Sequence, residues 1–151
     1  MPWITEQVAL AGAEILPENW HELQQYHFGA VVNFRSEHQD AFGEPFPQAY
    51  LWIPTEDFIS PKPEKLLLSS QFIDNAVRSG LKVLVHCRMG IYRSATAIVA
   101  YLMYTGLSKE DAIRKMTENG GPRLYGSEEN HETLDAFLAL MAAKSKKSGQ
   151  M

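Results

Sequence analysis

Leu81-Lys82-Val83-Leu84-Val85-His86-Cys87-Arg88-Met89-Gly90-Ile91-Tyr92-Arg93-Ser94 is the stretch on which the reading of this chain turns. It opens as a short β-branched apolar run, the pattern of a strand buried on both faces. It then turns through a loop containing Gly90 and enters residues 95–104, which are apolar at nearly every position and so predict a buried helix. Strand, tight loop and helix N-terminus together suit an anion. Main-chain N–H groups converge there, and the positive end of the helix dipole points at the same spot. Cys87, the single cysteine of the chain, opens the loop, and Arg93 closes it.

A thiolate is a good nucleophile toward phosphorus, whereas a free cysteine is mostly protonated near neutrality. A helix N-terminus and a nearby cation lower a thiol's pKa from about 8.5 into a range of roughly 3.5–7.5. The donors that stabilise such a sulfur anion are also placed to bind three phosphoryl oxygens. Arg93 adds a planar fork suited to bidentate contact with two of them. One loop can therefore activate the nucleophile and stabilise the transition state. A buried structural cysteine beside a surface arginine would account for either residue alone, but not for the whole set at this spacing.

The segment from His86 to Ser94 resembles the signature of the protein tyrosine phosphatase superfamily: His-Cys, five residues, Arg, then Ser or Thr. Gly90, three after the cysteine, fits the commoner form. The resemblance covers roughly residues 50–141 and points to the small atypical dual-specificity type. It implies that Cys87 forms a cysteinyl-phosphate, and that Arg93 with the loop residues Arg88, Met89, Gly90, Ile91 and Tyr92 holds the phosphoryl group. It implies that His86 supports the loop and the thiolate without taking the proton itself, and that Ser94 donates to the sulfur and eases its departure. No metal and no other cofactor is implied.

Ester cleavage leaves an alkoxide or phenoxide, so a proton donor is required near the leaving oxygen. The candidate is Asp57, in Trp52-Ile53-Pro54-Thr55-Glu56-Asp57-Phe58-Ile59-Ser60-Pro61, thirty positions before Cys87. This stretch resembles the acid loop of small dual-specificity phosphatases, several of which read Ile-Pro-Asp-Phe with a proline a few residues on. Here Thr55-Glu56 stand between Pro and Asp-Phe. Asp57 is favoured over Glu56 because Asp-Phe followed by Pro61 keeps the downstream spacing. Many relatives position the hydrolytic water with a glutamine near the C-terminus. The stretch 122–130 has none, and Asn130 is the nearest amide to that role.

Nothing in the chain resembles the extra segments that build a deep phosphotyrosine cleft. A shallower pocket would admit phosphoserine and phosphothreonine as well as phosphotyrosine, so the expected partner is a phosphorylated protein or a small phosphate ester. Arg35 and Arg88 could instead meet a second phosphate on a phosphoinositide, an inositol phosphate or an RNA 5′-phosphate, although two solvated arginines are the simpler reading. A phosphate-binding module without turnover is a further alternative. Rhodanese chemistry is disfavoured by the Arg-Ser ending, and arsenate reduction by the lack of further thiols.

The 151 residues suit one domain, read as 1–143, with 144–151 as a flexible basic tail. A net charge of −4 gives no support to nucleic-acid binding. A single cysteine cannot form an internal disulfide, which favours a reducing, cytoplasmic setting. There is no long apolar span and no signal-peptide pattern at the start. A monomer is expected.

Along the chain, residues 3–10 alternate as an edge strand, broken by Gly12, and Pro17 opens a helix carrying Trp20 and Leu23. Residues 30–34 and 50–53 read as strands around a loop over 38–48. A helix is predicted from about Pro61 to Arg78, capped by Ser60 and lined by Leu66, Ile73 and Val77. Ser108 and Asp111 resemble a capping box for a helix over 108–118. Residues 119–122 form a turn, and Ser127 caps a last helix with Leu134, Phe137, Leu138 and Met141 on one face. Strands alternating with helices predict an α/β fold, with a central, mostly parallel twisted sheet of four to five strands flanked by helices. The site should then lie beyond the carboxyl ends of the strands.

Overall fold

The structure, a computed structural model, describes residues 1–12, 14–56, 59–88, 92–123 and 128–149. Four strands form a wholly parallel sheet in the order β1-β4-β2-β3, where β1 is Val8–Gly12, β2 Phe28–Arg35, β3 Ala49–Thr55 and β4 Lys82–Cys87. The helices are α1 (Pro17–Leu23), α2 (Pro63–Arg78), α3 (Tyr92–Tyr104), α4 (Lys109–Glu118) and α5 (Glu128–Gly149). Among the described residues, no helix is long and apolar enough to cross a membrane.

β4 lies between β1 and β2, so it is covered on both faces and both edges, as its near-continuous apolar run requires. Side chains alternate across it. Val83, Val85 and Cys87 enter the larger core with residues of α2, α3, α4 and α5. Leu84 points the other way, into a smaller core with Ile15, Trp20, Phe28 and Val31. By that alternation His86 faces the side of α1, opposite to Cys87. Helix α3 is buried from Arg93 to Met103, as its nearly all-apolar run from Ala95 onward demands.

Several elements depart from expectation. Residues 4–7 do not continue a strand. The Thr5 hydroxyl accepts from the N–H groups of Gln7 and Val8, and this local turn throws Trp3 back to bridge Ala9 in antiparallel fashion. Gly12 is the last paired residue of β1, opposite Cys87. Helix α2 begins at Pro63, and its N-cap is Lys62 in an extended conformation with no side-chain cap. Pro63 excludes the helical region for the residue before it, so neither Pro61 nor Ser60 can open the helix. Ser60 is used elsewhere, as described below.

On α5 the buried stripe is Leu134 and Phe137, with Leu140 and Met141 packed against the core. Leu138 is 50% exposed, since it lies a further step round the helix from that seam. The helix runs on to Gly149, through most of the segment whose composition suggested a frayed end. Ser108 does cap α4, its hydroxyl accepting from the Asp111 N–H at 3.1 Å. The turn after α4 needs its glycines. Gly120 has φ +87°, and a Cβ on Gly121 would lie 2.8 Å from the Met116 carbonyl oxygen. Ser127 lies outside the described residues.

Candidate active site

All four strands end at the same edge of the sheet, and the chemistry-bearing residues collect there. Cys87 closes β4 and is 1% exposed. Its Sγ lies 3.1 Å from the Ser94 hydroxyl in the first turn of α3 and 3.5 Å from the Arg88 carbonyl oxygen. With sulfur ionised, the Ser94 O–H is the donor. The helix N-terminus adds its dipole to the same sulfur.

Arg93 is 2% exposed, a burial an arginine reaches only when paired. One terminal nitrogen donates to the Phe34 carbonyl at 3.2 Å, to the Thr55 carbonyl at 2.6 Å and to Glu37 Oε1 at 3.2 Å. The guanidinium thus stitches α3 to the carboxyl ends of β2 and β3. Thr55 is also the last residue of β3 before the expected acid segment, so the cation fixes the root of that segment too.

Glu37 holds two cations with separate oxygens: Oε1 on Arg93, and Oε2 on Arg35 Nε at 3.3 Å. Burial pushes its carboxyl up. The charge of Arg93, its hydrogen bond and the charge of Arg35 outweigh this, leaving the pKa below the usual 4.5. Arg35 is buried in that pair while Arg88 is exposed.

On the opposite face, His86 Nε2 lies 2.7 Å from Asp40 Oδ2, and the two side chains are 0% and 2% exposed. Asp40 N–H donates to the Tyr50 hydroxyl at 3.0 Å, and Asn33 Nδ2 donates to the same oxygen at 3.1 Å. Burial raises the Tyr50 phenol above its ordinary value of 10; the Asp40 N–H and Asn33 amide donors oppose this, and the Asp40 carboxylate adds a smaller upward push.

Asn130 is buried against the same end of the molecule. Its side-chain oxygen meets the Ser60 hydroxyl, and the Thr96 hydroxyl at 3.4 Å. Its amide therefore ties the chain before α2 to α3 and α5. Tyr92 begins α3 and is 45% exposed. Glu56 is exposed. Asp57, Met89, Gly90 and Ile91 lie outside the described residues.

The structure therefore brings together Cys87, Arg93 and Ser94 and sets His86 directly behind them. Two carboxylates, Glu37 and Asp40, were not singled out from the sequence. Their signal was position: Glu37 stands two residues past the carboxyl end of β2, the edge where the site of a parallel sheet lies. Asp40 is a carboxylate in a loop bounded by aromatic residues and prolines, and nothing in the sequence pairs it with a histidine 46 positions away.

Residues 16–132 match the family model "Dual specificity phosphatase, catalytic domain". The chain belongs to that family. It is similar to dual specificity protein phosphatase Mpk3 of Drosophila melanogaster, 38% identical over 97 residues that make up 60% of this chain and 23% of that protein. It is also similar to human dual specificity protein phosphatase 8, 52% identical over 56 residues, 34% of this chain and 9% of that protein. The chain thus spans less than a quarter of the length of these relatives. Among solved structures it resembles Tk-PTP in the active form, with a TM-score of 0.76 at 30% identity over 90% of this chain and 94% of that one. The fold is shared with PTPMT1 in complex with PI(5)P, with a TM-score of 0.78 at 22% identity over 94% of this chain and 96% of that one. The chain thus carries a phosphatase catalytic domain.

Proposed function

We propose that this chain is a cysteine-dependent hydrolase of phosphate monoesters, acting on phosphotyrosine and on phosphoserine and phosphothreonine through a cysteinyl-phosphate. The observation that carries the reading is Cys87 Sγ, buried at a strand end 3.1 Å from Ser94 Oγ, with Arg93 anchored at the same sheet edge. The Cys87 sulfur attacks phosphorus while the bond to the leaving oxygen breaks. Arg93 and the amides of residues 88–92 hold the phosphoryl oxygens, and Asp57 gives its proton to the leaving group. Water then attacks the phosphorus, Asp57 takes its proton, and the sulfur departs with the Ser94 hydroxyl stabilising it. Residues 1–143 form the catalytic domain, acting as a monomer in a reducing cytoplasmic setting. Asn130, whose amide oxygen meets the Ser60 and Thr96 hydroxyls, braces the chain before α2 and is the candidate for positioning the attacking water.

The test is hydrolysis of p-nitrophenyl phosphate with a chelator present. Cys87→Ser abolishes turnover. Asp57→Ala cuts kcat by roughly 10²-fold or more, and Glu56→Ala leaves it within about twofold. Turnover surviving Cys87→Ser overturns the mechanism, and a reversed order of the two carboxylates reassigns the acid. A second reading keeps the chemistry but moves it to a non-protein ester such as a phosphoinositide. It draws on the likeness in fold to PTPMT1, whose structure was solved with PI(5)P. A panel of phosphopeptides, phosphoinositides and RNA 5′-phosphates separates the two.

A further inference from the structure

The Asp40 carboxylate sits in a segment without regular structure, yet its side chain is 2% exposed. Loop carboxylates ordinarily stay in water, because burying one without compensation costs several kcal/mol (on the order of 2–7 even for a neutral polar group). The whole segment is fastened to make the burial possible. Ala41 N–H donates to the Ile15 carbonyl at 2.9 Å, and the Trp20 indole donates to the Pro45 carbonyl at 2.8 Å. Trp20, Phe42 and Tyr50 pack edge to face, with centroids 4.8 and 5.0 Å apart. What this arrangement presents to the sheet is one oxygen, 2.7 Å from His86 Nε2.

A buried pair of this kind is a poor source of net stability compared with apolar packing, so its use is better sought in geometry. A carboxylate on Nε2 requires that nitrogen to carry a proton, and the partner of one ring nitrogen fixes the role of the other. The ring can then serve the strand-to-helix loop through Nδ1 alone. His86 is also the residue before the nucleophile, on the opposite sheet face. A ring locked from behind fixes the main chain from which Cys87 projects.

We infer that Asp40 is a positioning residue for the nucleophile: by accepting from His86 Nε2 it fixes the tautomer and orientation of that ring, and so the placement and ionisation of the Cys87 sulfur. Among the described residues, the strands and α3 bring these other groups to the pair. β1 brings Ala11 and Gly12 into register with His86 and Cys87, and β2 brings Asn33, none of them titratable. β3 supplies Tyr50 on the Asp40 side, and α3 supplies Arg93, paired with Glu37, on the Cys87 side.

The inference rests on Cys87 being the nucleophile, and the experiment keeps the two apart. Asp40→Asn, which keeps the shape and removes the charge, is compared with wild type, His86→Gln and the double variant. The readouts are kcat and KM for p-nitrophenyl phosphate, the rate of Cys87 alkylation by iodoacetamide at about pH 6, and Tm. Asp40→Asn is expected to lower kcat roughly tenfold with KM within about twofold, and to slow alkylation by a similar factor. In the His86→Gln background it adds no further loss, because the ring it acts through is gone. Wild-type kcat and alkylation in Asp40→Asn, with only Tm lowered, overturns the inference, as does an equal loss in both backgrounds. If Asp40→Asn does not fold, the histidine ring nitrogens of the wild-type chain are read by ¹⁵N NMR: Nε2 of His86 carrying its proton from about pH 6 to about pH 9 supports the inference, and an unprotonated Nε2 overturns it. Activity surviving Cys87→Ser defeats the nucleophile assignment whatever Asp40 does. An inactive Cys87→Ser beside a wild-type-like Asp40→Asn defeats only the inference drawn here.

Discussion

The two sides of Arg93 are built in different ways. On one side the end of β4 and the start of α3 are buried regular structure, in which sulfur, hydroxyl and guanidinium are positioned by backbone that cannot shift without breaking the core. On the other side residues 36–48 form an irregular segment held by aromatic packing and single hydrogen bonds, and it contributes Glu37 and Asp40. The first region carries Cys87, Arg93 and Ser94, the groups proposed to grip and attack the phosphoryl group. The second carries the countercharges: one carboxylate on the guanidinium in front of the sheet and one on the imidazole behind it. Separating the groups in this way lets the reacting residues sit on rigid elements while the electrostatic support comes from a loop.

If that division holds, changes on the rigid side are far more damaging than changes on the loop side. Arg93→Lys keeps the positive charge but loses the planar guanidinium, one terminal nitrogen of which reaches the Phe34 and Thr55 carbonyls and Glu37. Its kcat should fall roughly 10²–10³-fold. Ser94→Ala removes the only described hydroxyl in contact with the sulfur. It should cost roughly 10–100-fold, the worth of a hydrogen bond to a charged group. The loss should fall on breakdown of the intermediate, so stopped-flow traces should show a p-nitrophenol burst followed by slow turnover. A Ser94→Ala variant that loses the burst itself would move the hydroxyl's role to the attack step. An Arg93→Lys variant with near-normal kcat would break the division altogether.

The same contrast explains how far the residues could be read in advance. β4 and α3 announce themselves, because a strand buried on both faces and a helix buried all round must be apolar throughout. His86, Cys87, Arg93 and Ser94 interrupt that apolarity at fixed spacing. The parallel sheet follows from alternation of strands with helices. Glu37 and Asp40 announce nothing, since a carboxylate in a polar loop has the same local sequence whether it faces water or a buried cation. Only tertiary packing decides that, and here the deciding contacts are the Trp20–Phe42–Tyr50 cluster and strand pairings distant in sequence. Helix ends are hard to read from sequence for a related reason. Ser60 has the chemistry of a cap, but Pro63 sets the start of α2, and the hydroxyl is taken up by Asn130.

The smallest expected effect is also the sharpest probe of the loop side. Glu37 is 26% exposed at its side chain, so its pairing is screened and Glu37→Gln should lower kcat only about threefold. Its pH dependence is more telling. The folded carboxyl sits below its usual value of 4.5, because the charges of Arg93 and Arg35 overcome the opposing effect of burial. A depressed folded value means that the stabilisation is fully present above about 4.5 and is lost as pH falls through the lower folded value. Measured from about pH 6 downward, the Tm of the wild type should therefore fall more steeply than that of Glu37→Gln, and the gap between them should close in that acid window. Parallel curves would mean that Glu37 does not carry the countercharge for Arg93, and that contacts such as those to the Phe34 and Thr55 carbonyls hold the guanidinium without it.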